Sequence, residues 1–353
     1  MSIWKGKKLK IEIFGASHDE EIGVIFENFP CESFDEGELQ KFLNRRKPTY
    51  SPVFTSRRES DKPVFTYGTD NFMIDSTRVK AIIKNEDVIK SDYDDLYGKP
   101  RPSHADLSAY YLDGRLDFGG GGEFSGRMTA PLCVVGGIAK QMLEKRGITV
   151  HAYLSKVGSV CGSSYTTKNI VPSDFDGFDE KTFPSLTDED RMLAEIRDAK
   201  AQGDSVGGII ECVVFGMKKG VGGCLFDGLE GKISQLLFSV PAVKGVAFGD
   251  GFGLSEKRGS TANDEIFYKN GQIYTATNHS GGINGGISNG MPITLSVSVK
   301  PTPSIEKEQN TVSLLTKENV KIKIKGRHDA CVAVRAVPAV ESAVAIALLD
   351  ESL

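Results

Sequence analysis

The chain has 353 residues, 39% hydrophobic and 25% charged, a length that suits one large or two ordinary compact domains. A net charge of −4 excludes a general nucleic-acid binder, which needs a basic face, but leaves room for local arginines around a small anion. No run approaches the about 18 consecutive apolar residues of a membrane span, and the N-terminus lacks an apolar signal core, so a cytoplasmic protein away from membranes is expected.

In chain order, residues 8–14 alternate polar and apolar, as in a half-buried strand. The stretch 34–46 places Leu39, Phe42 and Leu43 on one helical face. Arg45 and Arg46 follow that face, where the plainer reading, taken alone, is a solvated last turn favoured by the helix dipole. Residues 129–146 read as a long helix with Leu132, Val135, Ile138, Ala139 and Met142 near one side and Gly147 as its stop. A strand should follow at 148–155. The polar, turn-rich stretch 163–188 reads as a surface excursion. A helix is expected at 187–202, capped by Thr187 and ended by Gly203. Residues 206–216 and 291–299 look like strands and 229–240 like a helix. The last helix, 338–350, should start with Pro338 at its first position. It is apolar nearly all round, which implies deep burial or a subunit interface.

The six cysteines form no CxxC pair and read as buried free thiols, with neither a disulfide framework nor a metal site expected. Four of the five histidines stand in glycine-, arginine- or acid-rich settings: His18, His104, His279 and His328, the last beside Asp329. Histidine is the side chain best suited to proton exchange near neutrality. Arginines at 45–46, 57–58, 101, 127 and 327 offer planar forks for carboxylate or phosphate. The GGGGEFSGR segment, 119–127, opens a helix and can present backbone N–H groups to an anion. It matches neither a dinucleotide fingerprint nor a P-loop. Residues alone therefore end at an anion-binding acid–base enzyme, with the reaction left open.

The motifs, in their order and spacing, resemble those of the chorismate synthase family, from FGASH at 14–18 to the final helix. They include RRKP (45–48), RRESD (57–61), RPSHAD (101–106), GGGGEFSGR (119–127), GDSVGG (203–208), RGSTANDEI (258–266), NHSGGINGGISNG (278–290), KPTPS (300–304) and RHDACVAVRAVP (327–338). The resemblance implies an α/β (α+β) fold, one catalytic domain over 1–353, with helices sandwiched between antiparallel sheets. It implies conversion of 5-enolpyruvylshikimate 3-phosphate to chorismate and phosphate by 1,4-trans elimination, with reduced FMN as cofactor. A homotetramer and a separate flavin reductase or other reductant are implied as partners, and NADP is associated with the family.

Carried over by position, His18 would donate a proton toward the leaving phosphate and His104 would set the protonation of the reduced flavin. Asp329 would help take up the C6 proton through flavin N5. Arg46, Arg101, Arg127 and Arg327 match substrate- or flavin-anion positions. Ser125, Pro241, Ala242, Gly285, Lys300, Pro301, Thr302, Pro303, Ser304 and Arg327 match FMN positions. His279 has a family counterpart but no assigned role. This chain departs from the family pattern at GASHD, at RPSHAD, at Pro52 in place of an arginine, and at Glu123–Phe124, where arginine and serine are usual. A glutamate turned toward a flavin phosphate is unfavourable, so Glu123 is expected to face solvent or a lysine. A homologue that keeps the fold without turnover is the other reading, and the retained histidines, arginines and Asp329 favour activity. An NAD(P)-dependent oxidoreductase would need a nucleotide fingerprint, which is lacking.

Overall fold

The computed structural model describes residues 1–47, 57–87, 96–324 and 328–353. Arg327 and Pro52 lie outside them. The first sheet holds β1 (Ser2–Lys5), β2 (Lys10–Phe14), β3 (Glu21–Glu27), β4 (Val64–Tyr67) and β5 (Arg78–Lys84), in the order β1-β2-β3-β5-β4. The second holds β6 (Thr149–Val157), β7 (Val160–Cys161), β8 (Gly208–Phe215), β9 (Val243–Phe248) and β10 (Ile293–Val299), in the order β9-β10-β8-β6-β7. All pairings within both sheets are antiparallel. Register follows the apolar alternation: Ile22 faces Ile83, Val24 faces Ala81 and Phe26 faces Val79, all of them buried.

The helices of the described residues are α1 (Glu36–Asn44), α2 (Asp106–Asp113), α3 (Thr129–Glu144), α4 (Glu189–Ala201), α5 (Leu229–Leu237) and α6 (Ala333–Ser352), besides one short turn at Gly259–Ala262, and α3 and α6 fill the space between the sheets. Helix α3 packs on β3 and β5, α6 packs on β6 and β8, and the two helices pack on each other. Helices between antiparallel sheets are thus observed, as the resemblance implied. Close approach requires glycine: a Cβ on Gly136 would lie 2.1 Å from Ser342 Cβ, so no side chain fits between α3 and α6 there.

Four expectations need correction. Helix α6 begins at Ala333, and Pro338 lies inside it. The turn after residue 328 starts the helix, with the N–H groups of both Arg335 and Ala336 donating to Val332 O. Thr187 does not cap α4; its hydroxyl accepts from Ser163 N, and Asp188 takes the cap position. The 163–188 stretch is not only surface: Ile170, Phe175 and Phe178 bury against Tyr153 and Val213 on the outer face of the second sheet. Cys133, Cys212 and Cys331 are buried, but Cys31, Cys161 and Cys224 are exposed.

The end of α1 departs furthest from a solvated turn. The Arg45 side chain is only 7% exposed and pairs with Asp179 at 2.8 Å and Glu341 at 2.9 Å. Glu341 is fully buried and also pairs with Lys140. Desolvation makes either partner alone costly, so the packing of α1, α3 and α6 admits these charges only together. Among the described residues no helix is long and apolar enough to cross a membrane.

Candidate active site

The glycine run is the centre of the site. Gly120, Gly121 and Gly122 have φ of 62°, 84° and 52°, backbone that side chains rarely adopt. Space is equally restrictive. A Cβ on Gly120 would fall 1.7 Å from His18 Cε1, and one on Gly121 would lie 3.2 Å from both Cε1 and Nε2 of His104. Two histidines distant in sequence therefore rest against adjacent glycines of one loop. Ser17 ties the first to it: Ser17 N donates to Gly122 O at 3.2 Å and Ser17 Oγ donates to Gly120 O at 3.2 Å. Ser17 Oγ also lies 2.9 Å from His18 Nδ1. The hydroxyl carries one proton, so with that proton on Gly120 O the imidazole donates from Nδ1.

His104 is held by its own segment. Its Nδ1 lies 2.5 Å from Asp106 Oδ1, the first residue of α2. Arg101 is buried and donates to Asp106 through N, Nε and Nη2, and to Phe118 O at 3.0 Å. Burial pushes the Asp106 carboxyl up, but hydrogen bonds and charge from Arg101 and His104 outweigh it and bring it down to about 2.

Past the glycines, Ser125 caps the turn over Arg127, accepting from Arg127 N at 3.2 Å. The Arg127 guanidinium pairs with Asp61 and donates to Asn85 Oδ1 at 2.8 Å. Arg46 reaches Asp61 from the other side at 3.4 Å and also donates to Thr129 Oγ1. Burial raises the Asp61 carboxyl, yet the two guanidinium groups hold it below the usual range. Arg335 then donates to Arg46 O at 2.9 Å and to Asp329 Oδ2 at 2.8 Å. His18, His104, Ser125, Arg127, Arg46 and Asp329 thus belong to one connected set. His328 is half-buried beside Asp329.

The proposed flavin positions fall in three places. Ser125 is at the glycine loop, with its Cβ 3.7 Å from where a Gly121 Cβ would stand. Pro241, Ala242 and the 300–304 loop are neighbours, because Lys300 N donates to Ala242 O at 3.0 Å. Ala242 has φ of 72°, a strained value for a residue with a Cβ. The Lys300 ammonium donates to Ser103 O, joining that loop to the His104 segment. Burial and the nearby Lys244 ammonium lower the Lys300 pKa. Ser205 Oγ donates to Thr302 O at 2.7 Å, and Val206 N donates to Ala330 O at 2.8 Å, so the GDSVGG segment supports both this loop and the Asp329 turn. Pro303 and buried Ser304 complete the loop, and Pro301 packs beside Gly207. Gly285, at φ of 61°, lies apart in a tight turn with open space where its Cβ would be.

Two further residues have settled positions. Glu123 faces solvent, one of the two settings expected for it, and pairs there with Arg115 at 3.0 Å. His279 Nδ1 contacts Asp250 Oδ2 at 2.7 Å, and its N–H donates to Asp264 Oδ1, which anchors the loop leading to Gly285. Asp61, Asp106, Arg335 and Ser17 carried no assignment in the sequence. The signal available was an acid inside an arginine- or histidine-rich motif, in RRESD and RPSHAD.

Comparison with known proteins agrees over the whole chain. The family model for chorismate synthase matches residues 9–353. A chorismate synthase of Thermococcus kodakarensis is 40% identical, with 99% of this chain and 97% of that protein covered. One from Korarchaeum cryptofilum is 40% identical over 98% of this chain and 96% of its own length. One from Dehalococcoides mccartyi is 38% identical over 100% and 97%. A crystal structure of a chorismate synthase shares the fold, with a TM-score of 0.75 at 24% identity, covering 98% of this chain and 92% of that one.

Proposed function

The chain belongs to the chorismate synthase family and is a lyase, and from that premise we propose that it converts 5-enolpyruvylshikimate 3-phosphate to chorismate and phosphate with reduced FMN bound. The observation that carries this reading is the pair of imidazoles, His18 and His104, against adjacent glycines of the 119–122 loop. The reaction breaks the bond from C3 to the phosphate oxygen and the C6–H bond, and forms a new double bond. His18 donates a proton to the departing phosphate oxygen. Arg46, Arg127 and, outside the described residues, Arg327 provide the cationic surroundings for a substrate with a phosphate and two carboxylates. Asp329, held by Arg335, is the carboxylate that receives the proton lost at C6.

The residues present fit a flavin mononucleotide. Thr302 Oγ1 is buried without a hydrogen-bond partner among the described residues, a polar atom awaiting a ligand. Ser125, Pro241, Ala242, Gly285, Lys300, Pro301, Thr302, Pro303, Ser304 and Arg327 would hold the cofactor. When bound, reduced FMN supplies electron density that eases phosphate loss, with no net redox change. His104 holds or releases a proton at its Nε2 edge. Glu123 is compatible with this because Arg115 neutralises it.

The proposal includes one catalytic unit over 1–353, a cytoplasmic homotetramer and a separate source of reducing equivalents, the role in which NADP would enter. Large exposed apolar side chains support assembly: Phe252 is 86% exposed, Ile266 75% and Tyr268 76%. The test is anaerobic turnover with chemically reduced FMN and the enolpyruvyl substrate. Chorismate and phosphate are expected in equal amounts. Absence of phosphate release from folded, FMN-bound protein would leave the fold-without-turnover reading in its place.

A further inference from the structure

Asp106 is nearly fully buried, and both its oxygens are occupied. Oδ2 accepts from Arg101 N at 2.9 Å and Nε at 2.7 Å. Oδ1 accepts from Arg101 Nη2 at 2.8 Å and faces His104 Nδ1 at 2.5 Å. Arg101 Nη2 also lies 3.2 Å from His104 Nδ1. A guanidinium nitrogen only donates, so with Nδ1 carrying a proton this contact is two donors converging on one acceptor. The imidazole is thereby oriented, and its Cε1–Nε2 edge faces Gly121.

We propose that Asp106 is the positioning residue of His104: it keeps the proton on Nδ1 and directs Nε2 at the glycine loop where the flavin is proposed to bind. The inference rests on the reading of His104 as the flavin-side group. Arg101 keeps the carboxylate an acceptor and holds the start of the loop through Phe118 O. The other charged or titratable groups around His104 are Lys300, bonded to Ser103 O, and His18, on the neighbouring glycine.

The Asp106→Asn variant separates this role from simple scaffolding. Arg101 brings two donors to Oδ2, so the amide oxygen settles there. The amide nitrogen then faces His104 and donates to Nδ1, which moves the imidazole proton to Nε2. The same logic applies to any buried acid–histidine pair. With histidine labelled in nitrogen-15, only five side chains report, and His104→Gln assigns the resonance. Wild type is expected to show the Nδ1–H form and Asp106→Asn the Nε2–H form. The kcat should fall on the order of 100-fold, as for a mispositioned acid–base group. Substrate KM and FMN Kd should stay within about threefold. An Nδ1 without a proton in wild type overturns the proposal, and so does an unchanged tautomer in the variant. A loss of FMN affinity as large as the loss of kcat also overturns it. If the variant does not fold, the wild-type spectrum alone decides. The spectra need neither flavin nor substrate. An inactive protein with His104 in the Nδ1–H form would remove the proposed reaction and leave this pairing in place.

Discussion

The molecule buries charge in two regions, and the regions differ in what the charges enclose. Between the helices, Glu341 sits with Arg45 and Lys140, and the nearby His151, which burial pushes down to about 4, stacks on Phe175. Around the glycine loop, Asp61 gathers Arg46 and Arg127, while Asp106 gathers Arg101 and ends on an imidazole. The first set ties helices together and reaches the surface at the exposed Asp179. The second leads to an edge that can exchange a proton with something bound. Burial of ion pairs is therefore no mark of chemistry by itself; what matters is whether the network ends on a group able to pass a proton to a bound molecule.

The largest way to break this contrast is Asp61→Ala. It leaves two buried guanidinium groups without their shared anion and should cost about 3–5 kcal/mol, read as a fall in the denaturation midpoint. Gly120→Ala comes next. Its Cβ would meet the His18 ring at 1.7 Å, so turnover should drop on the order of 100-fold while far-ultraviolet dichroism is unchanged. His104→Ala and Asp329→Asn should slow anaerobic turnover to a similar degree yet still bind FMN; unchanged rates in both would remove their proposed roles. The helix-layer set should behave differently. Replacing Arg45, Lys140 and Glu341 together by methionine should keep turnover and shift stability by no more than about 2 kcal/mol, because apolar side chains can take the place of a buried charge set when every member is replaced.

A smaller effect is expected from Ser205→Ala. It removes the 2.7 Å bond to Thr302 O, worth about 1 kcal/mol, and should appear as weaker FMN binding more than as slower chemistry. The smallest is a pH effect. The Asp106 pKa is depressed to about 2, so its contribution to stability is complete above the ordinary 3.8 and is lost as pH falls from there toward 2. Stability measured between those limits should decline less steeply in Asp106→Asn than in wild type.

Much of the scaffold was legible in the chain. Leu39, Phe42 and Leu43 do form the buried face of α1, and Gly147 does take a positive φ after α3. Helix α6 was mislocated because an apolar pattern without a polar face carries no phase, and Pro338 then drew the boundary. The histidines were legible as a type of chemistry, but nothing local placed His18 and His104 on consecutive glycines; that follows from packing between distant segments. Asp61 and Asp106 were unread for another reason. In sequence a carboxylate beside arginine looks like surface charge, and only burial shows that it organises the cations around it.

The last helix has a consequence for how the molecule comes into being. The Asp350 carboxylate accepts backbone N–H groups from Lys7 at 2.6 Å, Lys8 at 2.8 Å and Leu9 at 2.7 Å, so α6 fastens the earliest part of the chain. Its other end brings Arg335 to Asp329. During synthesis both sheets, the glycine loop and helix α3 therefore emerge before α6. A nascent chain ending short of residue 328 has the inner face of its second sheet without α6 and the candidate site without Asp329. Such contacts between remote segments make folding slow and leave intermediates open to aggregation. The candidate site is therefore complete only once α6 has packed, whatever ligand is present.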